Sequence, residues 1–108
     1  MFKIMEDNTI YLSRGDTARL TVDINNDEGE AYAMAEGDTL TLSVKKKLSD
    51  TEPCLKKVSN GVNTFHIEPQ DTKGLPFGLY VYDVKLVTSK GDTYTVIERS
   101  TLKICEVT

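Results

Sequence analysis

The chain offers few side chains that could carry out acid–base or nucleophilic chemistry. Its one histidine, His66, stands between Phe65 and Ile67 in an apolar–polar alternation, so we expect it to face solvent from a strand. A single histidine cannot build a His-rich metal site, and no serine or cysteine context marks it as part of a catalytic triad. Cys54 and Cys105 have fifty residues between them and match no metal-binding spacing. The sequence therefore predicts no enzyme activity, with no catalytic, cofactor-binding or metal-binding residue.

An acidic run that starts at Asp23 has a partial likeness to a calcium-binding loop. Its oxygen-bearing side chains alternate at first, but its glycine, Gly29, comes one residue late. The twelfth position of the loop would be Met34, which has no carboxylate. A solvated acidic loop between two strands is the better interpretation.

The tripeptide Arg14-Gly15-Asp16 is a known cell-adhesion motif, but turn chemistry explains it. Gly-Asp-Thr occurs three times, at 15–17, 37–39 and 91–93, and each copy precedes a segment of strand character. Glycine can adopt a positive φ, aspartate can bond its own turn backbone, and the β-branched threonine suits the start of a strand.

Composition and charge limit the partners of this chain. With 108 residues it is long enough for one domain, which we assign to residues 1–108. A net charge of −4 and the lack of a concentrated basic footprint argue against nucleic acid as a partner. No apolar run is long enough to span a bilayer, and residues 1–7 do not form a signal peptide. We therefore expect a cytoplasmic site of synthesis and no membrane partner, in a compartment that favours free thiols, although the even number of cysteines leaves a disulfide open.

The elements that must position any site are strands, because period-two alternation dominates the sequence. The predicted strands are 18–25, 39–46, 78–88, 92–97 and 101–107, with shorter ones at 10–12, 54–58 and 63–67. We expect 78–88 to be central and partly covered on both faces. The shorter strands 10–12 and 54–58 are the candidate sheet edges.

Turn formers separate these segments. Asn60-Gly61 predicts a type I′ hairpin, and residues 89–92 should close a second hairpin. Pro69 and Gly74 are typical of the start and end of a helix, which predicts one short helical turn over 69–74.

This pattern predicts an all-β, antiparallel, immunoglobulin-like β-sandwich of seven or eight strands. The segment from Pro69 to Val84 resembles the E–F corner of such sandwiches, with Tyr80 as the corner tyrosine whose hydroxyl bonds backbone a few residues upstream. Tyr82 stands where antibody domains have their second cysteine, and the chain has no tryptophan. The likeness is therefore to the architecture and not to antibody-type domains.

Four segments, spread over nearly the whole chain, resemble segments of one group of proteins. They are Ser13-Arg14-Gly15-Asp16-Thr17 followed by Leu20-Thr21-Val22, Gly37-Asp38-Thr39-Leu40-Thr41-Leu42-Ser43-Val44-Lys45, Ile67-Glu68-Pro69-Gln70-Asp71-Thr72, and Gly78-Leu79-Tyr80-Val81-Tyr82-Asp83-Val84. In these the chain resembles small phage and prophage structural proteins of Gram-positive bacteria, similar to the N-terminal domain of siphophage baseplate upper proteins. The resemblance implies a non-enzymatic component of a virion, its tail or baseplate, or its assembly, with other virion or tail proteins as partners.

Two functions follow as hypotheses. The first is a structural or interaction module that acts through protein–protein contacts, with homo-oligomerisation left open. The alternative is a carbohydrate-binding β-sandwich, which would need exposed aromatic side chains. Because Tyr80 and Tyr82 are assigned to the core, Tyr11, Tyr32 and Tyr94 are the aromatic residues left for that role.

Overall fold

A computed structural model describes residues 2–4, 8–25, 29–47 and 50–106. Within these ranges the chain forms eight strands and one short helix: β1 Phe2–Ile4, β2 Ile10–Ser13, β3 Ala18–Thr21, β4 Thr39–Lys45, β5 Leu55–Asn60, β6 Thr64–Ile67, α1 Pro69–Lys73, β7 Gly78–Val87 and β8 Thr93–Cys105. The all-β class and the single short helix agree with the sequence prediction.

The strands form two sheets of unequal size. The large sheet has the order β1-β2-β8-β7-β4-β5, and the small sheet contains β3 and β6. All neighbours are antiparallel except β2 and β8, which run parallel. The prediction of a wholly antiparallel sandwich is therefore wrong. Almost the whole domain lies between β2 and β8, so no short turn forces them to run in opposite directions.

One core joins the two sheets. Along β4 and β7, alternate side chains are buried, as the period-two pattern predicts. Leu20 and Phe65 of the small sheet belong to the same apolar cluster. Across the large sheet the cluster contains Ile10, Leu12, Leu40, Leu42, Val44, Leu55, Tyr80, Tyr82, Val84, Leu86, Leu102 and Ile104.

Several strand limits differ from the prediction. The sequence predicts two strands over 92–97 and 101–107, but one strand, β8, runs unbroken from Thr93 to Cys105. Its register against β7 shifts where its alternation is interrupted. Residue 107 lies outside the described residues. Of 18–25, only Ala18–Thr21 joins a ladder. Segment 54–58 does form an edge strand, β5, whereas 10–12 does not, because β1 pairs with its outer side.

The two predicted hairpins have different outcomes. The 89–92 hairpin is confirmed, since β7 and β8 pair and the Thr88 amide donates to the Asp92 carbonyl at 2.8 Å. The prediction of a hairpin at Asn60-Gly61 is wrong, because β5 belongs to the large sheet and β6 to the small one. Gly61 has the positive φ of 74° that such a turn needs, but here it carries the chain from one sheet to the other.

The three Gly-Asp-Thr turns occur as predicted. Their glycines have φ values of 84°, 94° and 91°, and the turns lead into β3, β4 and β8. Gly37 has a second constraint, since a Cβ on it would lie 2.8 Å from the Cβ of Ser89. The repeated motif is therefore explained by backbone conformation.

The corner between α1 and β7 is held by the tyrosine hydroxyl. The Tyr80 hydroxyl donates to the Pro76 carbonyl at 2.6 Å, which is the bond predicted for a corner tyrosine. Burial raises the pKa of Tyr80, so the hydroxyl keeps its proton as a donor. Tyr82 is also buried, and its hydroxyl donates to the Asn8 carbonyl.

We predict that Tyr80→Phe destabilises the domain by about 1 kcal/mol, because the Pro76 carbonyl loses its buried donor. For a domain of this size that is a fall of roughly 4–8 °C in Tm. Thermal unfolding followed by circular dichroism measures the effect. Tyr94→Phe is the matched control, since Tyr94 is 55% exposed. An equal change in the two variants would contradict a role for the corner bond.

Candidate functional site

The residues considered for chemistry lie apart. His66 is exposed on β6, as predicted. It lies opposite Arg19 of β3. Asp23 and Asn25 of the calcium-like run are exposed, whereas its Asp27 falls outside the described residues. Within the described ranges, no three side chains of histidine, cysteine, aspartate or glutamate form a group that could hold a metal ion.

The buried carboxylate of Asp38 accepts three hydrogen bonds from described residues. Its Oδ2 accepts from the Tyr32 hydroxyl at 2.5 Å and from the Ala35 amide at 3.1 Å, and its Oδ1 accepts from the Ser89 amide at 3.0 Å. The Tyr32 bond, followed by that of Ala35, holds the pKa of Asp38 below its ordinary value. The same bond raises the pKa of Tyr32. The carboxylate therefore ties the segment before β4 to the β7–β8 hairpin, and its role is structural.

We predict that Asp38→Asn lowers Tm at neutral pH and that its difference from the wild type shrinks under acid. A carboxyl whose folded-state pKa is depressed stabilises the fold above its unfolded-state value, roughly 3.9. That stabilisation is lost as the pH falls through the lower folded-state value. Tm measured between neutral pH and about pH 2 tests this, with Asp92→Asn in the exposed hairpin as control. A difference that stays constant below about pH 4 would contradict it.

The sequence leaves open whether Cys54 and Cys105 form a disulfide, and the structure shows that they do not. Both thiols are free, and the Sγ of Cys54 donates to the Val44 carbonyl at 3.3 Å. Cys105 ends β8, and β7 and β4 lie between it and the segment that holds Cys54. Three strand spacings amount to roughly 14 Å, which is beyond the reach of a disulfide.

We predict two reactive thiols per chain in the native protein without reductant. Burial raises the pKa of Cys54, so this thiol should react more slowly than an unhindered thiol at neutral pH and faster as the pH rises. A chromogenic thiol assay and the intact mass measure both properties, with Cys54→Ser and Cys105→Ser assigning the two phases. A 54–105 cross-linked peptide in a non-reduced digest would refute the prediction.

One end of the outer face of the large sheet carries large apolar side chains. Leu79, Phe77 and Tyr11 are 62%, 42% and 37% exposed. In the ladder, Leu79 of β7 lies opposite Lys103 of β8, which lies opposite Tyr11 of β2. We call Tyr11, Phe77 and Leu79 the corner patch. The prediction that β7 is central is confirmed, but the expectation that its second face is partly covered fails at Leu79.

Cations surround the corner patch. The Arg14 guanidinium lies 4.1 Å from the centre of the Phe77 ring, and Lys103 stands between Leu79 and Tyr11. Lys45 pairs with Val81 in the next row of the sheet. A chain with a net charge of −4 thus has a locally basic, apolar surface at this corner.

The Arg14-Gly15-Asp16 turn is packed against this corner. The Arg14 amide donates to the Cys105 carbonyl at 3.0 Å, and the Gly15 amide donates to the buried hydroxyl of Thr72 in α1 at 2.8 Å. These bonds hold the turn against β8 and α1. The Arg14 side chain can therefore lie over the Phe77 ring of the corner patch.

A concave feature of the described residues lies between the two sheets. This interlayer cleft has a volume of about 300 Å³ and is partly open to solvent. The polar residues that line it are Asn8, Thr21 and Asp23. Its apolar lining consists of Leu20, Val22 and Phe65 from the small-sheet side, and Ile10, Leu42, Tyr82, Val84, Val96 and Ile97 from the large sheet.

The three tyrosines considered for carbohydrate binding do not share one surface. Tyr11 pairs with Lys103 and Tyr94 with Leu86, which places them nine positions apart along β8, or roughly 30 Å. Tyr32 is half-buried and bound to Asp38. The flat aromatic platform that a glycan needs is therefore not formed by these residues.

Comparison with known proteins yields no assignment: no family model matches this chain, and no curated protein matches it in sequence. None of the described helices is long and apolar enough to cross a membrane.

Proposed function

We propose that this protein is a non-enzymatic interaction module of a phage or prophage, a component of the virion, its tail or baseplate, or its assembly. The sequence resemblance described above supports this class. The corner patch is the single observation that carries the interaction role.

We also propose that the sandwich is of the immunoglobulin-like type. In that type, strands C, F and G are neighbours in one sheet, and B and E are neighbours in the other. The adjacency of β4, β7 and β8, and that of β3 and β6, supports this correspondence. The hydrogen bond from Tyr80 to Pro76 supports it further, since it lies at the expected corner.

The corner patch combines exposed aromatic side chains with a neighbouring arginine, residue types that are enriched at the centres of protein interfaces. Exposed leucine, phenylalanine and tyrosine side chains lose water on docking, and arginine and aromatic residues are enriched where interfaces are strongest. The patch sits on paired strands and on a corner held by Tyr80, so its side chains are presented on a rigid surface. Little ordering entropy would be lost on binding.

The charges around the corner patch indicate the chemistry of the surface that would bind it. Arg14, Lys45 and Lys103 surround the apolar centre, so the complementary surface is apolar with an acidic rim. We assign this surface to another structural protein of the same particle.

We predict that Leu79→Asp reduces the number of copies incorporated into phage particles at least tenfold. A charge placed at the centre of the patch must be desolvated on docking, whereas at an exposed position it leaves the fold intact. Particles induced from prophages that carry the wild-type or variant gene are purified, and the copies are counted by quantitative mass spectrometry.

Val58→Asp is the matched control, because Val58 is 51% exposed on β5, outside the patch. It should be incorporated as the wild type is. Absence of the wild-type protein from particles and from assembly intermediates would overturn the proposed function. Equal incorporation of Leu79→Asp would overturn the assignment of the corner patch.

A further inference from the structure

The small sheet has a free edge at β3. Among the described strands, β3 pairs only with β6. The Val22 amide donates to the Asn63 carbonyl at 2.9 Å, so the backbone of Val22 points towards β6. Because this direction alternates along an antiparallel strand, the amide and carbonyl groups of Arg19, Thr21 and Asp23 point away from β6. Thr21 and Asp23 also line the interlayer cleft, which is partly open to solvent. We call this row of backbone groups the β3 edge.

The side chains along the β3 edge carry opposite charges at its two ends. Arg19, Thr21 and Asp23 lie on one face of the chain, and all three are exposed. Arg19 and Asp23 are four residues apart, roughly 13 Å along a strand, which is too far for an ion pair between them. Among the described residues, neither takes part in an ion pair. A counter-charge for each must therefore come from another chain element beside this edge.

A strand that complements the β3 edge has the same order of residues as β3 itself. Directly opposed residues on paired strands attract when their charges are opposite. In an antiparallel strand, the residue opposite Asp23 comes first and is basic, and the residue opposite Arg19 comes last and is acidic. The segment Arg19-Leu20-Thr21-Val22-Asp23 begins with a basic residue and ends with an acidic one. Two copies of this segment therefore complement each other about a twofold axis, which is the commonest symmetry of a homodimer.

We propose that the β3 edge binds a second copy of this chain, through antiparallel pairing of the two β3 strands about a twofold axis at Thr21. In this register, Arg19 of each copy lies opposite Asp23 of the other, and the two Thr21 residues lie opposite each other. All of these pairs exchange backbone hydrogen bonds, because each member directs its amide and carbonyl to the edge. The two small sheets become one sheet of order β6-β3-β3-β6. This inference goes beyond the corner patch and does not depend on it.

Threonine is suited to the position on the twofold axis. The Thr21 hydroxyl lies 3.2 Å from the Thr64 hydroxyl of β6, on the outer face of the small sheet. Threonine pairs on adjacent strands stabilise a sheet through their hydroxyl groups. In the dimer, the two Thr21 residues would join these pairs into one row of four threonines. No charge lies at the centre of the interface, where it would meet its own like charge.

The edge strand β5 does not have this complementarity. It contains Lys56 and Lys57 and no acidic residue. Pairing of two β5 strands would bring like charges together, and lysines on an edge strand discourage such pairing. Of these two edges, only the β3 edge has the opposite charges that two copies of one strand need.

The outline of the large sheet is compatible with the β3 pairing. Val96 and Ile97 of β8 line the interlayer cleft together with Asp23, whereas β2 pairs with β8 only at Leu102–Cys105. Among the described strands, the large sheet therefore ends at β8 near Asp23. It extends to β2 and β1 at the other end of β3, where a short turn joins β2 to β3. An antiparallel partner reverses these ends, so that β2 of each copy faces the narrower part of the other large sheet.

Two complementary single variants test the register. Arg19→Glu places like charges opposite each other in a homodimer, and so does Asp23→Lys. We expect a micromolar dissociation constant for the wild-type dimer and at least a tenfold higher one for each variant alone. An equimolar mixture of the two variants should recover the affinity of the wild type, because both cross-strand pairs in the heterodimer then have opposite charges. Sedimentation equilibrium of the full chains measures these constants, and recovery in the mixture shows that both variants are folded.

The control variants carry the same charge changes elsewhere. Lys56→Glu and Glu52→Lys alter exposed residues outside β3, and each should dimerise as the wild type does. Leu79→Asp should also dimerise as the wild type does, which separates this result from that of the corner patch. Dissociation of the dimer by any of these three variants would place the contact outside the β3 edge.

Amide hydrogen exchange locates the interface in the wild-type chain. Raising the protein concentration should slow exchange at Arg19, Thr21 and Asp23 at least tenfold, and it should not do so in Arg19→Glu. A wild-type chain that is monomeric at millimolar concentration overturns the proposal, as does a mixture of Arg19→Glu and Asp23→Lys that stays monomeric. Protection of this edge only when another protein of the particle is added would also overturn it, since the occupant is then that protein.

Discussion

The structure depends on one shared apolar core, in which a two-stranded sheet is packed against a six-stranded one. Alternating side chains of β4 and β7 meet Leu20 and Phe65 of the small sheet, and their removal from water is the main force that holds the layers together. Because the layers are unequal, they cannot cover each other completely. The interlayer cleft and the free edge of β3 are consequences of that inequality.

Polar groups close the two ends of the sandwich. At one end the buried carboxylate of Asp38 accepts hydrogen bonds from the Tyr32 hydroxyl and the Ser89 amide. The backbone carbonyl of Asp38 accepts one from the Gly61 amide. At the other end, Tyr80 and Thr72 bond the backbone of the α1 corner and of the Gly15 turn. Buried polar atoms that are fully bonded fix chain segments in one arrangement, whereas apolar contacts alone tolerate sliding.

The corner closed by Tyr80 and Thr72 also determines what is exposed. The turn before β7 places Phe77 under the Arg14 guanidinium and leaves Leu79 in solvent. A basic, apolar surface thus lies on the outer face of the large sheet, and the cleft lies on its inner face. Both surfaces are suited to protein contacts, and the described residues bring no nucleophile, base and orienting group together. The two surfaces support the interaction module proposed above.

The sequence by itself determined where most of the strand segments lie, the Gly-Asp-Thr turns, the α1 helix, the alternating burial along β4 and β7, and the bond of Tyr80. These features depend on local periodicity and turn conformation, which a few neighbouring residues specify. Only the tertiary structure decided the parallel pairing of β2 with β8, the crossing between sheets at Gly61, the burial of Asp38 and the exposure of Leu79. An apolar residue in a strand gives the same sequence pattern whether its face of the sheet is covered by another layer or exposed to solvent. Which strand lies beside which, and what remains uncovered, follows from the packing of distant segments that share one core.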